Sequence, residues 1–301
     1  MTIRIVVSAL LLAFTLGVGH AAEAAERLQI GITLHPYYSF AVNIVGDRAD
    51  VIPLIDAEAN PHGYTPRPDD MRRATEFDVL IVNGIGHDQW AFEIIAAAGR
   101  SEDLPLIYAN DTVALLPISG DDVLVVNSHT FVSITASVQQ VFEIARGLGQ
   151  IDPENADYYR DNAQAYGLML RRMRAEYMTR FAELDTSSFR GATMHGAYGY
   201  MMQEFGLSIA AVIEPRHGVN PTARQLARTI DEIKAANVNV LFAETYFSDR
   251  LADTIQDATG VKVFSFSHIT GGPYTAERFE DEMRTNLDTL AAAIETAVTP
   301  E

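Results

Sequence analysis

The chain of 301 residues has no cysteine, eight histidines and 48% hydrophobic residues, and its 22 Lys and Arg against 40 Asp and Glu leave a formal charge of −18. So acidic a balance disfavours nucleic acids and anionic membranes as partners and mildly favours cations as ligands. Without cysteine there is neither a disulfide framework nor the thiol that would accept a lipid anchor.

In chain order, Arg4, the apolar run 5–19 and the small residues at 21–24 read as a secretory signal peptide, cleaved after Ala21 or after Ala24. The run is shorter than the roughly 20 residues of a membrane-spanning helix. A freely diffusing periplasmic protein is expected, and what remains after processing is long enough for two domains of ordinary size.

Apolar, β-rich runs then alternate with helical patterns, which predicts α/β units with mostly parallel sheets. The strands are expected at 28–34, 51–54, 79–82, 106–108 and 123–126 in the first half. In the second half they are expected at 191–194, 209–213, 240–243 and 261–266. Two similar lobes follow, at 25–148 and 186–301, after a signal peptide at 1–24.

Between them, at 149–185, lies the strongest helical pattern, with Asp152 as N-cap, Pro153 at N1 and Glu154 in the first turn. Its apolar positions Ala156, Tyr159, Ala163, Tyr166, Leu170, Met173, Tyr177, Phe181 and Leu184 step by three and four. About 30 residues at 1.5 Å each reach roughly 45 Å, the height of a two-lobed molecule, so a rigid connector helix is predicted.

Ligands of open α/β sheets bind beyond the carboxyl ends of the strands. His62, His129, His195 and His268 each follow a predicted strand, two in each half, so one ion in a cleft between lobes would touch both. Imidazole nitrogen suits zinc, copper and nickel, whereas magnesium and calcium prefer oxygen. Spacing alone is a weak signal, because no compact pair such as H-E-x-x-H is present. Glu244, at another strand end, either supplies the fourth bond or, the favoured role, holds a ligand's second ring nitrogen. His35 is expected to be a turn residue rather than to line the cleft, His87 to face solvent in the Gly86-His87-Asp88 turn, and His217 to lie beside the site or on the surface. Tyr198 and Tyr200 are expected to pack rather than to bind metal.

The segment Asn60-Pro61-His62-Gly63-Tyr64-Thr65-Pro66-Arg67-Pro68-Asp69-Asp70 resembles the PHxYxPxPxD motif of the zinc and manganese substrate-binding proteins of ABC transporters. Similar too are Asp78-Val79-Leu80-Ile81-Val82-Asn83-Gly84, Ser128-His129-Thr130, Asp152-Pro153-Glu154-Asn155-Ala156-Asp157-Tyr158-Tyr159, Met194-His195-Gly196-Ala197-Tyr198-Gly199-Tyr200 and Ala243-Glu244-Thr245-Tyr246-Phe247. They run in order across nearly all of the chain beyond the signal peptide.

The resemblance implies two lobes joined by a long helix, with one metal in the cleft between them. It carries the family's three metal histidines onto His62, His129 and His195. The fourth family ligand is usually a carboxylate just after the last strand, but here that stretch reads Phe264-Ser265-Phe266-Ser267-His268-Ile269-Thr270, and His268 takes the role. The histidine-rich or acidic loop of some zinc members is missing. Zinc is expected over manganese because imidazoles outnumber carboxylates and manganese stands lowest in the affinity order. The implied partners are the ion, the membrane permease of an ABC importer and a metallochaperone donor; the protein is expected to be a monomer. Two other readings stay open from the residues: a three-histidine zinc hydrolase with Glu244 as general base on a metal-bound water, and a metal-binding adhesin.

Overall fold

In the computed structural model, residues 27–118, 125–214, 222–244 and 249–298 are described. The segment 1–24, expected to be a signal peptide, and His217 lie outside these residues.

The first half forms a parallel sheet of β1 (Leu28–Ile32), β2 (Ala49–Pro53), β3 (Val79–Val82) and β4 (Leu106–Tyr108), in the order β2-β1-β3-β4. A small antiparallel ribbon pairs β5 (Pro117–Ile118) with β6 (Val125–Val126). The second half repeats the plan with β7 (Gly191–His195), β8 (Ile209–Glu214), β9 (Val240–Glu244) and β10 (Lys262–Phe266), ordered β10-β9-β7-β8. Read from its other edge the second sheet is β8-β7-β9-β10, so both sheets run second, first, third and fourth strand and the two lobes share one topology. The central strands β3, β7 and β9 are buried along their whole length and accordingly read as apolar or small-residue runs, broken only where His195 and Glu244 end β7 and β9.

The helices are α1 (His35–Val45), α2 (Pro68–Ala74), α3 (Gln89–Ala97), α4 (Ile134–Ile151), α5 (Ala156–Ala182), α6 (Gly199–Glu204), α7 (Ala223–Ala235), α8 (Asp249–Thr259) and α9 (Arg278–Val298). The predicted connector is α5, whose 27 residues span about 40 Å. Its start differs from expectation: Pro153–Asn155 form a 3-10 turn, and Asp152 makes no side-chain cap bond. The Asp152 carboxylate instead accepts hydrogens from Tyr159 Oη at 2.6 Å and Asn155 Nδ2 at 2.8 Å.

The buried stripe of α5 is Tyr159, Ala163, Tyr166, Gly167, Leu170, Met173, Tyr177 and Phe181. It packs on α4 and α1 from the first half and on α9 from the second. The helix α9 also reaches back to α1, where Phe279 meets Phe40 edge-on at 4.8 Å. One apolar core therefore continues from the first sheet through α5 and α9 to one face of the second sheet, and a smaller core of Ala192, Met194, Ile213, Leu241 and Ile255 fills the other face.

The expected strand at 123–126 does not join the parallel sheet: Val125 and Val126 belong to the ribbon, and 123–124 lie outside the described residues. No helix among the described residues is long and apolar enough to cross a membrane.

Candidate metal centre

Four imidazoles from separate segments, two from each half of the chain, meet in one cluster. His195 ends β7, His268 follows β10, His129 precedes a 3-10 turn at Thr130–Val132, and His62 sits in the turn Pro61–Gly63 beyond β2. One ligand atom from each lies within 4.8 Å of all the others. The Nε2 atoms of His62 and His268 are 3.3 Å apart, and those of His195 and His129 are 3.2 Å apart. Four nitrogens set tetrahedrally about 2.0 to 2.1 Å from one ion are about 3.3 Å from each other, so both pairs already stand at a tetrahedral edge. His129, His195 and His268 are buried and His62 half-buried.

Local contacts hold His62, His129 and His268 in place. Asn60 Oδ1 accepts the His62 backbone N–H at 3.0 Å, and Trp90 Nε1 donates to the Pro61 carbonyl at 2.9 Å. The rest of the histidine-proline-aspartate segment is a brace: buried Asp70 accepts from Tyr64 Oη at 2.6 Å and from Arg67 N at 2.8 Å. For His129, the tautomer follows from its neighbour. Asn127 Nδ2 donates to the Gly196 carbonyl at 3.0 Å, so Asn127 Oδ1 is the acceptor 2.8 Å from His129 Nδ1. His129 therefore carries its hydrogen on Nδ1 and turns the Nε2 lone pair to the centre.

His268 Nδ1 lies 2.9 Å from Thr270 Oγ1, which leaves its Nε2 facing the other rings. Its loop belongs to the second half yet is pinned to the first. Ser39 Oγ donates to the Thr275 carbonyl at 2.9 Å, Asn43 Nδ2 to the Ala276 carbonyl at 2.9 Å, and Tyr274 Oη to the Ile55 carbonyl at 3.2 Å.

His35 takes part in the same seam and is neither a plain turn residue nor a cleft-lining one. Buried at the head of α1 and stacked on Tyr274 with centroids 4.0 Å apart, it donates from Nε2 toward the carbonyls of Gly272 at 2.9 Å and Ala57 at 3.2 Å. Burial lowers its pKa from 6.5 to about 4.

His87 corrects the sequence reading. Instead of facing solvent it is 4% exposed, with ring centroids 4.2 Å from His62, 4.9 Å from His129 and 5.7 Å from His268. The turn is folded inward by Asp88, whose carboxylate accepts from Thr33 Oγ1 at 2.7 Å, Asn83 N at 2.6 Å and Gly84 N at 3.0 Å. Burial pushes that carboxyl group above its ordinary value. Gly84 is required here: its φ is +75°, and an added Cβ would lie 2.5 Å from the Tyr108 ring.

Glu244 ends β9, 6% exposed, with Oε1 4.0 Å from His268 Nε2. It thus lies on the metal-facing nitrogen of His268, whereas the second ring nitrogen belongs to Thr270. Tyr198 Oη donates to Glu244 Oε1 at 3.4 Å; burial first, and then this carboxylate, raise the phenol well above its ordinary pKa and keep it a donor. Tyr200 is likewise buried, donating to the Asn127 carbonyl at 2.9 Å. A cavity open at its mouth reaches from exposed Glu58 down to His62, His268 and Glu244.

Comparison with known proteins points the same way as this chemistry. FpvC of Pseudomonas aeruginosa, solved with Mn2+, is 48% identical and superposes with a TM-score of 0.86 over 90% of this chain and 100% of that one. Its Ni2+ complex gives 0.85 over 92% and 100% at the same 48% identity. The high-affinity zinc uptake system protein ZnuA of Bacillus subtilis is 25% identical over 287 residues, covering 90% of this chain and 89% of that protein. The manganese-binding lipoprotein MntA of Halalkalibacterium halodurans is 25% identical over 282 residues, 91% of this chain and 90% of its own. These relatives are binding components of transport systems, not enzymes. The profile of the family described as zinc-uptake complex component A, periplasmic, matches residues 30–293, and the chain belongs to that family.

Proposed function

We propose that this chain is an exported, periplasmic binding protein that captures a divalent transition metal, zinc before manganese, and delivers it to the membrane permease of an ABC importer. His62, His129, His195 and His268 are the ligands. The observation that carries this reading is the pair of Nε2 separations, 3.3 and 3.2 Å, in a buried cluster drawn from both halves of the chain. Lone pairs brought that close repel unless a cation or a proton lies between them. The His129 ring, whose hydrogen is committed to Asn127, can only accept.

Four imidazoles suit zinc, nickel and copper, and manganese is the weakest of the series on such donors. Proteins similar to this chain are found with different ions, FpvC with Mn2+ and Ni2+ and the other relatives named for zinc and manganese, and the all-imidazole donor set here is what supports zinc. Elemental analysis of protein purified from its native compartment without chelators tests the assignment. One equivalent of zinc is expected; a protein emerging with manganese alone would reverse the preference.

A further inference from the structure

The four imidazoles leave one buried acid beside them unassigned. Glu244 reaches the site through sheet register: Phe266 on β10 pairs with Glu244 on β9, and His268 follows two residues later, so both side chains emerge at the same sheet end. Both line the cavity that opens to solvent past His62.

Two donors each about 2.1 Å from one ion lie between about 3.0 Å apart, at right angles, and about 4.2 Å apart, opposite each other. The 4.0 Å from Glu244 Oε1 to His268 Nε2 falls inside that range, so the carboxylate can join an ion already held by His268 without a backbone shift. A tetrahedral zinc ion is complete with four nitrogens and has no use for it. Larger or octahedral ions want more donors, and a hard oxygen above all suits manganese.

We propose that Glu244 is a specificity-determining fifth ligand, which binds Ni2+ and Mn2+ when they occupy the four-histidine site and stands aside for Zn2+. Tyr198, donating to the same oxygen, holds the carboxylate at the ready. The inference rests on the four-histidine reading of the site and adds to it an account of how one site serves ions of different coordination number.

The test uses the mature chain and two variants, Glu244→Gln and Glu244→Asp, each checked for an unchanged apo melting temperature. Zn2+, Ni2+ and Mn2+ are titrated separately against a chelating dye, and the nickel forms are compared by X-ray absorption. Glu244→Gln is expected to weaken Ni2+ and Mn2+ roughly tenfold or more, to leave Zn2+ within about threefold, and to remove one light scatterer from the nickel shell. Glu244→Asp should recover part of the manganese affinity. Equal losses for all three ions, or no loss for any, would overturn the role of Glu244 and leave the four-histidine site standing. A wild-type chain that binds none of the three ions would instead remove the site itself.

Discussion

Replacing Asn127 by Ala tests whether the orientation of one ring controls the whole centre. Asn127 Oδ1 accepts from both His129 Nδ1 at 2.8 Å and His129 N at 3.0 Å, while its Nδ2 donates to the carbonyl of Gly196, the residue after His195. The substitution strips a buried imidazole N–H of its acceptor and uncouples the His129 turn from the end of β7. An unsatisfied buried donor costs about 1 to 3 kcal/mol of stability. Partners of metal-binding imidazoles are worth about 10- to 100-fold in affinity, or about 1.4 to 2.8 kcal/mol. Asn127→Asp keeps the acceptor for His129 but sets a carboxylate oxygen against the Gly196 carbonyl, so it should restore part of the loss. Zinc affinity by dye competition, with urea denaturation of the apo protein, reads both quantities. Wild-type zinc affinity in Asn127→Ala, or an Asp variant no better than Ala, would refute the view that Asn127 sets the His129 tautomer.

Zinc affinity should fall as pH drops from about 7.5 to about 5.5, because a protonated imidazole has no lone pair for the ion; a flat profile in a calorimetric titration would point to carboxylate ligands instead. The apo protein should lose stability as pH falls below 6.5 toward 4, since His35 stays neutral in the fold to about pH 4 while the unfolded chain already takes up its proton. The shift amounts to about 3 kcal/mol, fully present as stability above pH 6.5. His35→Gln, which donates without titrating, should flatten this dependence; an equally steep curve for the variant would show that the buried imidazole is not its source. Zinc at about 100 times its dissociation constant should add about 2.7 kcal/mol to the fold. It should do so with little change in radius of gyration, because α5 and α9 both pack across the two halves. A large contraction in small-angle scattering would show that they do not act as struts.

Much of this architecture was legible because strands write themselves as short apolar runs: 79–82 matches the fully buried β3 residue for residue, and 106–108 matches the edge strand β4. The stripe on α5 was legible for the same reason, as every predicted position from Tyr159 to Phe181 is buried. Four histidines after strand ends pointed to one rim because the topology of open sheets sends those ends to a common side.

What escaped depended on contacts no local pattern encodes. Gly86-His87-Asp88 has the composition of a surface turn, and only the buried Asp88 carboxylate, bonded to Thr33 across the sheet, turns His87 inward. A hint was available in Gly84 and Gly86, two glycines flanking one residue, both of which adopt positive φ. The anchoring of the His268 loop on α1 joins residues more than 230 positions apart and is invisible to periodicity. The ribbon at Val125–Val126 is apolar enough to pass for a sheet strand, but it pairs with Pro117–Ile118 instead.

Anomalous diffraction from crystals of the zinc-loaded protein, recorded on both sides of the zinc absorption edge, tests the central claim most directly. One strong peak is expected, about 2.0 to 2.1 Å from the Nε2 atoms of His62, His129, His195 and His268. A peak bound elsewhere on the chain, or one that leaves two of these four imidazoles unbonded, would contradict it.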